Sequence, residues 1–70
     1  MRKYDDEYYN YVLRNIEPNE PDSKEKKAVF NIISDFKDRR GLKQEFESID
    51  DDIQDEIVET WIDAIKNANI

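Results

Sequence analysis

The chain has no cysteine and no histidine, a single glycine and only two prolines among 70 residues. Without cysteine there is no disulfide to hold a thin core together and no thiolate to bind metal or attack a substrate. Without histidine there is no side chain that titrates unaided near neutrality, and a zinc site would rest on carboxylates alone, an unusual set. No Gly-rich phosphate loop is present, and no apolar run approaches the roughly 20 residues of a membrane span. The opening residues MRKYDDEYY carry bases but no apolar stretch behind them, unlike a secretory leader. Bases are scarce too: Glu45 to Asp63 contains nine acids and not one lysine or arginine. These absences argue against an enzyme, a cofactor protein and a membrane protein. They point to a non-enzymatic cytoplasmic domain.

What is present is charge and a modest apolar complement. Charged residues make up 41% and hydrophobic residues 37%, a balance close to that of disordered chains. One Trp, four Tyr and three Phe argue for a folded core. Seventy residues form one domain near the lower size at which a single core holds by itself. Such a core leaves room for self-association, and a homodimer is expected.

The net charge of −7 is unevenly spread, with −3 over residues 1–23, +4 over 24–43 and −8 over 44–70. The basic middle segment, KEKK and DRRG, is a weak signal for nucleic-acid binding. A pI near 4.4 repels phosphates, and no aromatic interleaves with these bases. They are expected to pair with the acidic end or to cap helices.

The periodicity predicts an all-α bundle of three main helices, over residues 5–16, 23–40 and 50–67, with a short extra turn over 42–48. Tyr9, Val12, Leu13 and Ile16 follow the i, i+3, i+4, i+7 spacing of an inward helix face. Val29, Ile32, Ile33 and Phe36 repeat it. Ile53, Ile57, Trp61, Ala64 and Ala68 do the same in the last helix. Glu17 to Asp22, EPNEPD, reads as a loop, because both prolines bias the preceding residue away from helix. Gly41 stands where a left-handed helix C-cap is expected.

The stretch SIDDDIQDE, Ser48 to Glu56, poses the functional question. A calcium loop of the EF-hand type needs Gly at its sixth position and Glu at its twelfth. Counting from Asp50, those places hold Asp55 and Trp61, so the register fails and no metal is expected. Asp50 to Asp52 suit a helix N-terminus. Asp55, Glu56, Glu59 and Asp63 lie beyond the first turn and gain little from it. With Asp52 they fall in a sector of about 100°. This acidic ridge is the expected partner-binding surface, aimed at a protein with a basic face. The bland alternative is a solvated face of an acidic protein. Tyr4, Tyr8 and Tyr11 form a second stripe, at i, i+4, i+7. It marks either a self-association face or the edge of the core with wet hydroxyls.

Ile33 to Trp61, ISDFKDRRGLKQEFESIDDDIQDEIVETW, resembles a segment of small acidic proteins encoded by bacteriophages and prophages, above all in DRRG followed by IDDDIQDEI. The resemblance covers under half of the chain. It implies a phage context and no particular activity, so no residue role is carried over. The resulting expectation is a protein that binds and modulates a host or defence protein, with DNA mimicry as one form. The alternative is an assembly protein that homo-oligomerises through apolar and tyrosine surfaces.

Overall fold

The computed structural model describes residues 1–68, and all of its regular structure is helical. There are four helices: α1 over Asp5–Arg14, α2 over Ser23–Lys37, α3 over Arg40–Glu47 and α4 over Asp51–Ala68. The expected short turn at 42–48 is thus a full helix, α3, that starts earlier than predicted. α2 lies at the centre and packs against each of the other three.

Local chemistry explains the boundaries. α1 opens with Asp5, Asp6 and Glu7 and closes with Arg14, which matches the helix dipole at both ends. Asn15 ends it in the left-handed conformation (φ 57°). The Asn15 and Ile16 N–H groups then close onto the Tyr11 and Asn10 carbonyls at 3.1 Å each. The proline-bearing loop runs to Asp22, with a cis Glu20–Pro21 bond and Pro18 buried.

The expected end of the second helix is wrong. α2 stops at Lys37, and Asp38 remains in right-handed geometry. Arg39 is extended (φ −106°, ψ 113°) and starts α3, which takes in Gly41 without a positive φ. The turn is made by Asp38 and Arg39, so no left-handed glycine is required.

The core consists of Met1, Tyr4, Tyr8, Val29, Phe30, Ile33, Phe46, Val58 and Ile62, with Tyr11, Ile49, Trp61 and Ile65 packed at its edge. This reverses the expected face of α1. Tyr8 is only 2% exposed, whereas Leu13 is 74% exposed and Tyr9, Val12 and Ile16 also face out. The tyrosine stripe is therefore core. Tyrosine rings offer large apolar area with a polar tip, and here the Tyr4 hydroxyl keeps a bond to Glu59 at 3.2 Å. Tyr8 meets Phe30 edge-on at 5.6 Å between centroids, and Tyr11 lies 6.3 Å from the same ring. Self-association through Tyr4, Tyr8 and Tyr11 is thereby removed, because two of the rings are buried in the protomer and the third is half-buried.

α4 is turned from its expected orientation as well. Gln54, Val58 and Ile62 point inward, while Ile57 and Trp61 are half-buried and Ile53, Ala64 and Ala68 are exposed. At 100° per residue, the true core face lies about 100° from the predicted one. In α2, Val29 and Ile33 are buried as expected, Ile32 is exposed and Phe30 takes its place inside.

Candidate protein-binding surface

The five acids of the predicted ridge do share one side of α4, but they are not equivalent. The N-terminal segment crosses that side and occupies part of it. The Lys3 N–H donates to Asp55 at 3.2 Å, and the Lys3 ammonium bonds to Glu59. The Tyr4 hydroxyl donates to Glu59 at 3.2 Å. Below them Asp51 takes the Arg2 guanidinium at 3.7 Å and the Met1 amino group at 3.4 Å. Asp55 and Glu59 are therefore tied within the fold. Asp52, Glu56 and Asp63 are exposed, with no ion pair among the described residues. The ridge is broken, not continuous, and the missing lysine comes from more than fifty positions away.

The pairing shows in the titration of its members. Glu59 is held below the usual glutamate range, first by the Lys3 ammonium and then by the Tyr4 hydroxyl. Lys3 is raised, chiefly by the same bond. Burial pushes the Tyr4 phenol up, and the Glu59 charge adds to it.

The basic segment is not the partner of α4. Lys26 bonds to Glu7 and to the Asn19 carbonyl, each at 3.0 Å, and Lys27 to Glu17 at 3.1 Å. Arg39 holds Asp35 at 2.8 Å. These pairs fasten the first loop and the end of α2, so the expected pairing with the acidic end does not form. Lys66 of α4 instead bonds back to Asp22 at 3.3 Å.

Beside the free acids lies the part of α4 that sequence periodicity placed in the core. Ile57 and Trp61 form one wall of a cleft of about 310 Å³, with Phe36, Leu42, Phe46 and Ile49 opposite. The Trp61 indole meets the Phe36 ring edge-on at 5.8 Å. A shallower cleft of about 260 Å³ continues from Ile57 and Trp61 to Ile53, Glu56 and Thr60. Leu42 and Ile53 are 46% and 42% exposed at its borders. Sequence periodicity counted Ile53, Ile57 and Trp61 as core and so missed them as surface. The signal that could have found them is the width of the apolar arc on α4, which exceeds what one packed face needs.

Another cleft, of about 410 Å³ and lined by charged and apolar side chains alike, lies between the start of α1, Pro21 and α4. Its lysines, Lys3 and Lys26, are already bonded to Glu59 and Glu7. Among the described residues no three acids come together as a metal site, and no helix is long and apolar enough to cross a membrane. No family model, curated protein or solved structure matches the chain, and none of these comparisons points to a phage origin.

Proposed function

We propose that this chain is a non-enzymatic protein-binding module of the cytoplasm that engages a basic partner through the outer side of α4. One observation carries this reading. The unpaired acids Asp52 and Glu56 lie next to exposed Ile53, on the side of α4 that carries half-buried Ile57 and Trp61, and unpaired Asp63 stands farther along the ridge. Apolar area supplies binding free energy, and adjacent charges of one sign supply steering and choice of partner. A host or defence protein is the partner that the resemblance suggests. The pairing of Asp55 and Glu59 weighs against DNA mimicry, which calls for a longer array of free carboxylates.

Assembly into homo-oligomers is the second reading. The outward face of α1, with Leu13 at 74% exposure, favours it. The net charge of −7 opposes it, since two copies repel at low salt.

Affinity capture from a lysate of the cell that encodes the chain tests the first reading. The triple variant D52N/E56Q/D63N is expected to keep its circular dichroism and lose the partner, and capture by the parent chain is expected to weaken steeply with salt. Capture that is equally strong with the folded variant, or indifferent to salt, refutes it. The second outcome favours apolar assembly.

A further inference from the structure

The cleft along α4 is specific enough in shape and charge to name the kind of element it fits, granted the protein-binding reading above. Its two parts share Ile57 and Trp61 and so adjoin, one reaching from α4 across to α3 and the other running along the outer side of α4, and together they make a channel. From Ile53 to Ala64 the apolar stripe rises about 16 Å along the helix axis, three turns of an opposing helix. Its walls are side chains of α2, α3 and α4 together with Ser48 and Ile49 of the linker, whose N–H groups bond back to the Gln44 and Phe46 carbonyls. No strand edge is therefore offered, and an extended peptide would leave its own N–H and C=O groups without backbone partners. A helix brings those groups already bonded and presents side chains at i, i+3, i+4 and i+7.

The charge at the borders selects among helices. Glu45 and Glu56 line the channel, and Asp52 stands one turn before Glu56. No base occurs between Gln44 and Ile65. Near the Phe36 end, Arg39 is held by Asp35 at 2.8 Å and the Lys37 ammonium lies over the Tyr8 ring, 4.6 Å from its centroid. A second copy of this chain fits poorly. Its own channel would set Glu45, Asp52 and Glu56 against the same acids. Its one outward apolar helix, α1, begins with Asp5, Asp6 and Glu7 and offers only Arg14. Like charges brought together across an interface cost several kcal/mol.

We propose that this channel receives an amphipathic helix of a partner protein, apolar side against Trp61, Ile57 and Leu42, with lysines or arginines along the edge that faces Glu45, Asp52 and Glu56.

Trp61 is the only tryptophan and lies in the channel wall, so its fluorescence reports occupancy. The probe is a synthetic 18-residue helix of Leu, Ala and Lys with leucines on one face. Its controls are a scrambled peptide of the same composition and a version with Glu for Lys. The helix is expected to shift Trp61 emission to the blue, and both controls to bind at least tenfold more weakly. L42Q/I53Q changes two exposed side chains and should stay folded by circular dichroism while losing tenfold or more in affinity. D52N/E56Q should lose affinity mainly at low salt. Equal binding of the scrambled peptide overturns the proposal, as does undiminished binding by folded L42Q/I53Q. In either case loss on D52N/E56Q would leave the acidic-face reading standing. Binding that needs Leu42 and Ile53 but ignores Asp52 and Glu56 overturns the basic character of the partner and the acidic-face reading with it. No Trp61 response at millimolar helix overturns the channel as a docking site.

Discussion

Gly41→Ala distinguishes two arrangements of the α2–α3 junction by sign. As a left-handed C-cap, Gly41 would resist a side chain, and alanine would destabilise the fold by about 1 kcal/mol or more. In the structure Gly41 is the second residue of α3, with no positive φ. A Cβ built there meets nothing within 4 Å. Alanine then restricts the unfolded chain and favours the helix, worth about 0.4–1 kcal/mol. A domain of this size gains roughly 4–8 °C in Tm per kcal/mol, so the expected rise is about 2–8 °C. Thermal melts followed by circular dichroism at 222 nm, parent beside variant, measure it. A Tm that falls by 2 °C or more refutes the junction described here.

Further predictions test the core and its titration. Phe30 is fully buried against Tyr8, so Phe30→Ala should cost about 3–5 kcal/mol; Trp61→Ala, at a half-buried ring, should cost at least about 1 kcal/mol less. Urea titrations that rank Trp61 above Phe30 would contradict the rotation of α4. At alkaline pH the Tyr4 and Tyr8 phenols are raised by burial, so their contribution is complete below the ordinary value of 10.0 and is lost as pH climbs through the raised values. At acid pH the lowered Glu59 acts the other way: its contribution is present above 4.5 and lost as pH falls through its lowered value. Melts across both ranges should show two declines, and E59Q should flatten the acidic one while moving the alkaline one to lower pH, because the Glu59 charge adds to the rise of Tyr4.

The starts of α1, α2 and α4 and the loop before α2 were legible because they are local. Acids at helix starts, the two prolines and the polar loop are read within a few residues of where they act. The helix faces were not. α1 carries an aromatic stripe and an aliphatic stripe on opposite sides, and α4 carries Val58 and Ile62 beside Ile53, Ile57 and Trp61. Periodicity shows that a stripe exists and does not choose between two. That choice is made by α2, which sets Phe30 against the tyrosines, a contact across some twenty positions. The acidic ridge was found on its proper side of α4, yet its breaking by Lys3 could not be read from spacing, since Lys3 and Glu59 are joined only by the completed fold. Gly41 was misread for a related reason: a glycine after two arginines looks like a helix stop until the chain's actual turn, at Asp38 and Arg39, is seen.

Gln54 is the buried polar residue of this core, and its position has a consequence for how α4 selects one rotation. Its amide nitrogen donates to the Phe46 carbonyl at 2.9 Å and to the Ile49 carbonyl at 2.8 Å, and its oxygen accepts from the Met1 amino group. The two carbonyls belong to the end of α3 and the linker that follows. A turn of α4 by about 100° would bring Ile53, Ile57 and Trp61 inward in place of Val58 and Ile62, one apolar set for another. It would also swing Gln54 away from both carbonyls, leaving that of Phe46 with the Ile49 N–H at 3.2 Å and taking from that of Ile49 its Gln54 donor, at about 1–3 kcal/mol for the group so stripped. Oil alone scarcely tells the two poses apart. One amide, acting as a key cut for a single lock, separates them and keeps the channel face of α4 on the outside.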